Sequence, residues 1–237
     1  MKDFEVLDWD SDFFGVKVAK IDPKLKIENY NKLIQNLDKE NIELAYFNSD
    51  FVLPSSDLYE VIKLDNKIAL SKKLGTRKDF HPGIRFYTNS TPTPEMFQLS
   101  KRIARRSKFY DDANISKKKV YELYELWLDK SVKGILADAV IVYEENGVIL
   151  GLVSIKINEK NEGIIPLLGV DAKHEGKSIS FYLMAAVETY LLENNCEVLI
   201  SSTQAQNLKA LKVYERFGVH CEKGLYINHL WRKPIAN

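Results

Sequence analysis

The chain predicts a mixed α/β fold, a mixed sheet with helices in the second half preceded by a smaller α/β region. Three observations carry this expectation. Apolar residues recur at helical spacing in several separate windows, with short β-rich runs between them. From Asp138 onward the order reads strand, strand, strand, helix, strand, helix, strand. Between the halves, residues 75–94 gather Pro82, Gly83, Pro92, Pro94 and a Thr-Asn-Ser-Thr run, which marks a linker. The expected domains are 1–90 and 91–237.

Residues 4–7 and 16–21 read as strands, parted by Asp8-Trp9-Asp10-Ser11-Asp12-Phe13-Phe14-Gly15. Residues 28–39 place Tyr30, Leu33, Ile34 and Leu37 on one helical face. Residues 42–47 read as a strand, and 58–64 with 67–73 as a hairpin around Asp65-Asn66. Past the linker, 96–106 suits a helix. So does 116–132, with Ser116 as N-cap and Val120, Leu123, Tyr124, Trp127 and Leu128 as its apolar stripe. Residues 138–143 and 148–157 form two strands around Glu144-Glu145-Asn146-Gly147. A strand over 163–170, a helix over 176–194, a strand over 198–201, a helix over 207–217 and a strand over 226–232 complete the pattern.

The 237 residues are 45% hydrophobic, enough for one large domain or two small ones. Lys+Arg 34 against Asp+Glu 33 leaves a net charge of +1, so no global field draws the chain to nucleic acid or membrane. Residues 101–119 are locally basic. Met1-Lys2-Asp3-Phe4-Glu5 lacks the basic-then-apolar order of a leader, and the apolar helix near 181–192 is too short to span a bilayer. The expectation is a soluble cytoplasmic protein without nucleic-acid or membrane partners. Cys196 and Cys221 make no disulfide framework and have no activating neighbours in sequence. His81, His174, His220 and His229 show no metal-ligand spacing, so no metal is expected.

Two segments carry chemistry. Gly176 lies where a strand gives way to a helix, among the small or polar Lys177, Ser178 and Ser180. A helix start presents unpartnered N–H groups and partial positive charge, so a phosphate fits there and a glycine lets it approach. On its own, the plainer reading of Gly176 is an ordinary strand-to-helix turn. There is no Gly-x-Gly-x-x-Gly and no Gly-x-x-x-x-Gly-Lys-Ser/Thr, which argues against a dinucleotide fold and a P-loop kinase. In the later helix Asn207, Ala210, Leu211 and Tyr214 share one face. A phenol, with a pKa of about 10, can protonate a departing thiolate without being ionised at neutral pH. The plainer reading of Tyr214 is a core tyrosine.

Together these segments resemble the GNAT N-acetyltransferase superfamily. Its Gln/Arg-x-x-Gly-x-Gly/Ala loop is matched by Lys173-His174-Glu175-Gly176-Lys177-Ser178, with Lys in the first position and Ser in the last. Its Asn-x-x-Ala-x-x-x-Tyr-x-x-x-Gly motif is met in full at Asn207, Ala210, Tyr214 and Gly218, followed by Val219 where Phe is usual. Leu7 through Gly15, Tyr124 through Ser131, Ala137-Asp138, Thr203-Gln204 with Asn207, and His229-Leu230-Trp231-Arg232 are similar to the dTDP-fucosamine N-acetyltransferases.

The resemblance implies a GNAT fold and acetyl-CoA as acyl donor. The implied acceptor is the 4-amine of a dTDP-linked 4-amino-4,6-dideoxy sugar used in surface polysaccharide, and a homodimer is implied as well. Leu168, Gly169 and Val170 would meet the pantetheine arm. Glu175, Gly176, Lys177, Ser178 and Ile179 would form the pyrophosphate loop. Asn207 would bond the pantetheine side, and Tyr214 would be both coenzyme contact and general acid. Asp138 is a candidate base, more often a strand-end residue. Lys101 to Lys108 could meet the sugar nucleotide's diphosphate. Trp9, Phe13 and Phe14 suit core better than a base or sugar pocket. Two alternatives stand beside this reading: a different acceptor (small amine, amino acid or protein N-terminus) and a non-catalytic acyl-CoA sensor.

Overall fold

A computed structural model describes residues 3–234. In chain order its elements are β1 (Phe4–Val6), α1 (Asp8–Phe14), β2 (Val18–Ile21), α2 (Tyr30–Lys39), β3 (Leu44–Ser49), β4 (Tyr59–Lys73), β5 (Ile84–Phe86), α3 (Pro94–Ala104), α4 (Lys108–Asp111), α5 (Lys117–Val132), β6 (Ala139–Glu145), β7 (Val148–Ile157), β8 (Gly163–Ile164), β9 (Leu168–Val170), α6 (Ile179–Glu193), β10 (Val198–Gln204), α7 (Leu208–Arg216) and β11 (His220–Arg232). This is the mixed α/β class that the sequence predicts. Contacts group the chain into two units. One holds the described residues up to Ile68, Gln204–Gln206 and the described residues after Glu222; the other holds Ala69–Thr203 and Asn207–Glu222. The sequence reading draws one cut near residue 90. The contact grouping changes within β4 and returns the C-terminal strand to the first unit.

In the first unit the strands run β1-β2-β3-β11. β2 and β3 are parallel, Val18 opposite Leu44, and α2 supplies the crossover that parallel strands require. The predicted face of α2 (Tyr30, Leu33, Ile34 and Leu37) is buried against Ile21, Ala45, Phe47 and Leu230. At about 1.5–3 kcal/mol for each such side chain, this face holds the helix in place. Arg232 fastens the far end, donating from Nε to Asp38 Oδ1 and from Nη1 to Asn41 Oδ1, both at 2.9 Å.

Two expectations for this unit are corrected. The run between the first strands is the helix α1, and none of its residues is buried. Trp9 is 40% exposed and stacks on Phe13 at 5.3 Å, so these aromatics are not core. Ser11 secures the helix by donating to Leu7 O and accepting Val18 N–H. The hairpin at Asp65-Asn66 does not form; β4 runs straight through it. Asp65 is buried, and its carboxylate accepts the N–H of Asn66 at 2.6 Å and that of Gln206 at 3.4 Å, while Asn66 O accepts Ala205 N–H. Neither residue has the positive φ that a tight hairpin turn demands.

In the second unit the strands run β10-β8-β7-β6-β5, with β9 also pairing β7. The hairpin of β6 and β7 turns at Asn146 (φ 52°) and Gly147 (φ 77°), as its sequence predicts. Ser116 caps α5 by accepting Lys119 N–H. The stretch expected as a linker is fastened instead. Leu74 N–H donates to Glu197 O, Gly75 N–H to Glu188 Oε1, and Lys78 N–H to Thr189 Oγ1; residues 84–86 form β5. No helix among the described residues is long and apolar enough to cross a membrane.

Glu188 organises this docking. Its side chain is 1% exposed and bonds Lys72 Nζ at 2.7 Å, with Lys78 Nζ at 3.7 Å. Burial pushes its carboxyl up, but the Lys72 ammonium, the Gly75 N–H and Lys78 together hold it below the usual 4.5. Removing one member of a buried pair strands the other charge. Glu188→Ala is therefore expected to lower unfolding free energy by about 3–5 kcal/mol, read by urea denaturation at neutral pH. A depressed carboxyl contributes stability that is present above its unfolded value and lost as pH falls through its folded value. The gap between wild type and Glu188→Gln should accordingly shrink as the medium is acidified below pH 4.5.

Candidate active site

The sheet of the second unit opens at one place, and local sequence opens it. β8 pairs β7 with Ile164 opposite Lys156, and β9 pairs it with Leu168 opposite Val153. Ile164 to Leu168 is four steps and Lys156 to Val153 is three, so one extra residue bulges. Pro166 stands in that stretch and has no N–H to give a ladder. The fully buried Ser154 locks the bulge. Its Oγ accepts Leu167 N–H at 3.0 Å, and its own N–H donates to Leu167 O at 2.9 Å.

Before the bulge, β8 lies parallel to β10, Gly163 and Ile164 opposite Leu199 and Ile200. After it, β9 pairs only with β7 among the described residues, while β10 runs on through Ser201 to Gln204. The strands part in a V, and one backbone edge of Leu168, Gly169 and Val170 meets no strand among the described residues. Two close approaches shape the opening. A Cβ at Gly169 would come within 2.7 Å of Ile103 on α3, and one at Gly151 within 2.9 Å of Ile179 on α6.

The turn after β9 is tightened by Asp171, whose Oδ1 accepts Lys173 N–H at 2.9 Å and lies 2.7 Å from His174 Nδ1. Gly176 follows at φ 80°, with nothing within 4 Å of where a Cβ would stand. Lys177 is exposed. Ser178, at the N-cap of α6, has φ 61° and makes no side-chain cap bond. Ile179 is the first helical residue and is buried. The first-turn amides of α6 therefore face an open, partially positive space suited to an anion. Glu175 bridges two cations, Arg102 on α3 and Lys209 on α7, the latter at 2.5 Å.

On the other side of the V stands Tyr214, 4% exposed, its hydroxyl 3.2 Å from Ser201 Oγ. Burial pushes the phenol above 10.0, only partly offset by the bond to Ser201, so it carries its proton at neutral pH. Asn207 begins α7. Its Oδ1 accepts Ala210 N–H at 3.4 Å and its Nδ2 donates to Thr203 Oγ1 at 3.2 Å. The side chain expected to meet a coenzyme is thus also the cap that seats the helix carrying Tyr214.

Other candidates fare differently. Asp138 is engaged at both oxygens, by Lys156 Nζ at 2.7 Å and Ile157 N–H at 2.6 Å. Burial pushes its carboxyl up, but these bonds and the Lys156 charge bring it below the usual value, which makes it a poor proton acceptor. In the basic run, Lys101 pairs with Glu125 at 2.8 Å and Arg102 with Glu175, and Arg105 Nε donates to Tyr121 Oη at 3.1 Å. Sequence reasoning missed Ser154, Ser201 and Lys209, none of which belongs to a recognisable motif. No group of three or more His, Cys, Asp or Glu among the described residues is placed to hold a metal ion.

The sequence model described as the acetyltransferase (GNAT) family matches residues 104–219. The chain is 27% identical over 139 residues to the spore coat polysaccharide biosynthesis protein SpsD of Bacillus subtilis, covering 59% of this chain and 47% of that protein. It is 32% identical over 68 residues to N-alpha-acetyltransferase 30 of Xenopus laevis, covering 29% and 25%. These matches span less than half the length of either relative. A GCN5-related N-acetyltransferase structure from Sphaerobacter thermophilus superposes with a TM-score of 0.54 at 13% identity, covering 99% of this chain and 78% of that one.

Two substitutions test the local reading. Asn207→Ala removes a cap worth about 0.5–2 kcal/mol, and urea denaturation should show that loss. At Ser178, glycine relieves about 1–2 kcal/mol of left-handed strain and gives back about 0.5–1 kcal/mol through the unfolded chain. Ser178→Gly is expected to gain about 0.5 kcal/mol, seen as a raised denaturation midpoint.

Proposed function

We propose that this chain, which carries a GNAT acetyltransferase domain over residues 104–219, is an acetyl-CoA-dependent N-acetyltransferase acting on the amine of a dTDP-linked 4-amino-4,6-dideoxy sugar. The carrying observation is the parted β9 and β10, with a buried, protonated Tyr214 beside the gap. The open space over Gly176 and the uncapped start of α6 suit the coenzyme's diphosphate. Support for a sugar acceptor comes from the likeness to SpsD, a spore coat polysaccharide biosynthesis protein, and from the resemblance in sequence to sugar-nucleotide acetyltransferases.

In this reading Leu168, Gly169 and Val170 offer their free backbone edge to the pantetheine arm. Glu175 to Ile179 wrap the diphosphate, and Asn207 borders the arm while capping α7. A neutral substrate amine attacks the thioester carbonyl and loses its extra proton to solvent; as the C–S bond breaks, Tyr214 gives its hydroxyl proton to the departing thiolate and is then reprotonated from solvent. Ser201, 3.2 Å from that hydroxyl, orients it and returns a hydrogen bond to the phenolate left behind.

The test is a thiol-release assay with acetyl-CoA against dTDP- and UDP-linked amino sugars, wild type beside Tyr214→Phe. Turnover on one amino sugar with kcat reduced about a hundredfold in Tyr214→Phe is the expected result. Turnover only on peptides with a free N-terminus would favour the second reading, which rests on the match to N-alpha-acetyltransferase 30. Coenzyme binding without turnover on any amine would indicate an acyl-CoA sensor. Because the phenol is active when protonated and its pKa lies above 10.0, alkaline loss of kcat is expected only above that pH. A fall in kcat as pH rises through neutrality would remove Tyr214 from this role.

A further inference from the structure

We propose that Arg102 and Lys209 are the anchoring pair for a phosphate of the coenzyme, and that Glu175 occupies this pair in its absence, a carboxylate standing where the phosphate binds. The inference rests on the coenzyme reading above. Three separate segments converge here: α3 supplies Arg102, α7 supplies Lys209, and the turn ahead of α6 supplies Glu175. One carboxylate serves both cations, Oε1 toward Arg102 Nη2 and Oε2 toward Lys209 Nζ at 2.5 Å. The cluster therefore keeps a net positive charge. It sits one residue before Gly176, beside the open start of α6.

The side chains of Arg102, Glu175 and Lys209 are 36%, 36% and 68% exposed. Ion pairs this wet are weak and easily exchanged. A phosphate brings more negative charge than a carboxylate and more acceptor oxygens, and the guanidinium fork matches its geometry. Phosphate is therefore the stronger ligand for both cations. The neighbouring basic side chains Lys101 and Arg105 have other partners, Glu125 and Tyr121. Arg102 and Lys209 differ in that both are held by a residue of the loop itself. A bridge that merely braced α3 against α7 would work in the opposite direction, since removing Glu175 would loosen the site and weaken binding.

The experiment is titration calorimetry of the full chain with acetyl-CoA, comparing wild type, Glu175→Gln, the Arg102→Met/Lys209→Met double variant, and the triple variant. Glu175→Gln should tighten Kd about three- to tenfold, and the double variant should weaken it at least about tenfold. Adding Glu175→Gln to the double variant should change nothing, because the competition it removes is already gone. Repeating the series with dephospho-CoA identifies the phosphate. An advantage of Glu175→Gln confined to CoA assigns the 3′-phosphate, and an advantage shared by both assigns the diphosphate. An unchanged or weaker Kd in Glu175→Gln, with wild type binding normally, overturns the proposal and leaves the coenzyme reading intact. Absence of acetyl-CoA binding by wild type overturns the coenzyme reading itself.

Discussion

The candidate site depends on one extra residue. Without the bulge between β8 and β9, the strand would continue in register beside β10, and its backbone groups would be consumed by the ladder. Pro166 denies the ladder a donor, and Ser154 supplies the missing partner to Leu167 from the neighbouring strand. A buried serine that bonds backbone in this way converts an irregularity into a fixed shape. Everything downstream is positioned by it: the free edge of β9, the turn through Gly176, and the first turn of α6.

The second organising feature is how buried polar groups are treated in this unit. Glu188 lies inside α6 with its charge, because Lys72, Lys78 and a backbone amide surround it. Tyr214 lies almost as deep but has only a serine hydroxyl, so burial favours its neutral form. Surroundings rather than residue type decide which group stays charged and which keeps its proton.

Much of this was legible in the sequence, and the failures have physical causes. The periodicity of Tyr30 to Leu37, the Ser116 cap and the Asn146-Gly147 turn are local signals, and the structure follows them. Residues 58–73 misled because Asp-Asn is a turn-favouring pair, yet Asp65 spends its oxygens on the amides of Asn66 and of the distant Gln206. Residues 75–94 misled because proline and glycine suggest a linker, whereas distant Glu188 and Thr189 bind that backbone. Contacts between residues more than a hundred positions apart leave no local trace. The loop around Gly176 and the Asn207–Tyr214 helix were legible through their motif spacing. Ser201 and Lys209 were not, because they matter by where the sheet and α7 carry them.

The three glycines around the opening are constrained in two different ways, and this bears on which second-site changes can restore a damaged protein. Gly151 and Gly169 are limited by neighbours, the side chains of Ile179 and Ile103. A larger residue at 169 can be accommodated by trimming Ile103, and one at 151 needs both Ile179 and Leu183 on α6 to give way, so these positions can drift in concert with their partners. Gly176 has empty space around it and is limited by its own backbone angle. No change elsewhere can relieve that constraint. Suppressor screens starting from lesions at 151 or 169 should return paired solutions on α6 or α3, while a lesion at 176 should return reversion to glycine.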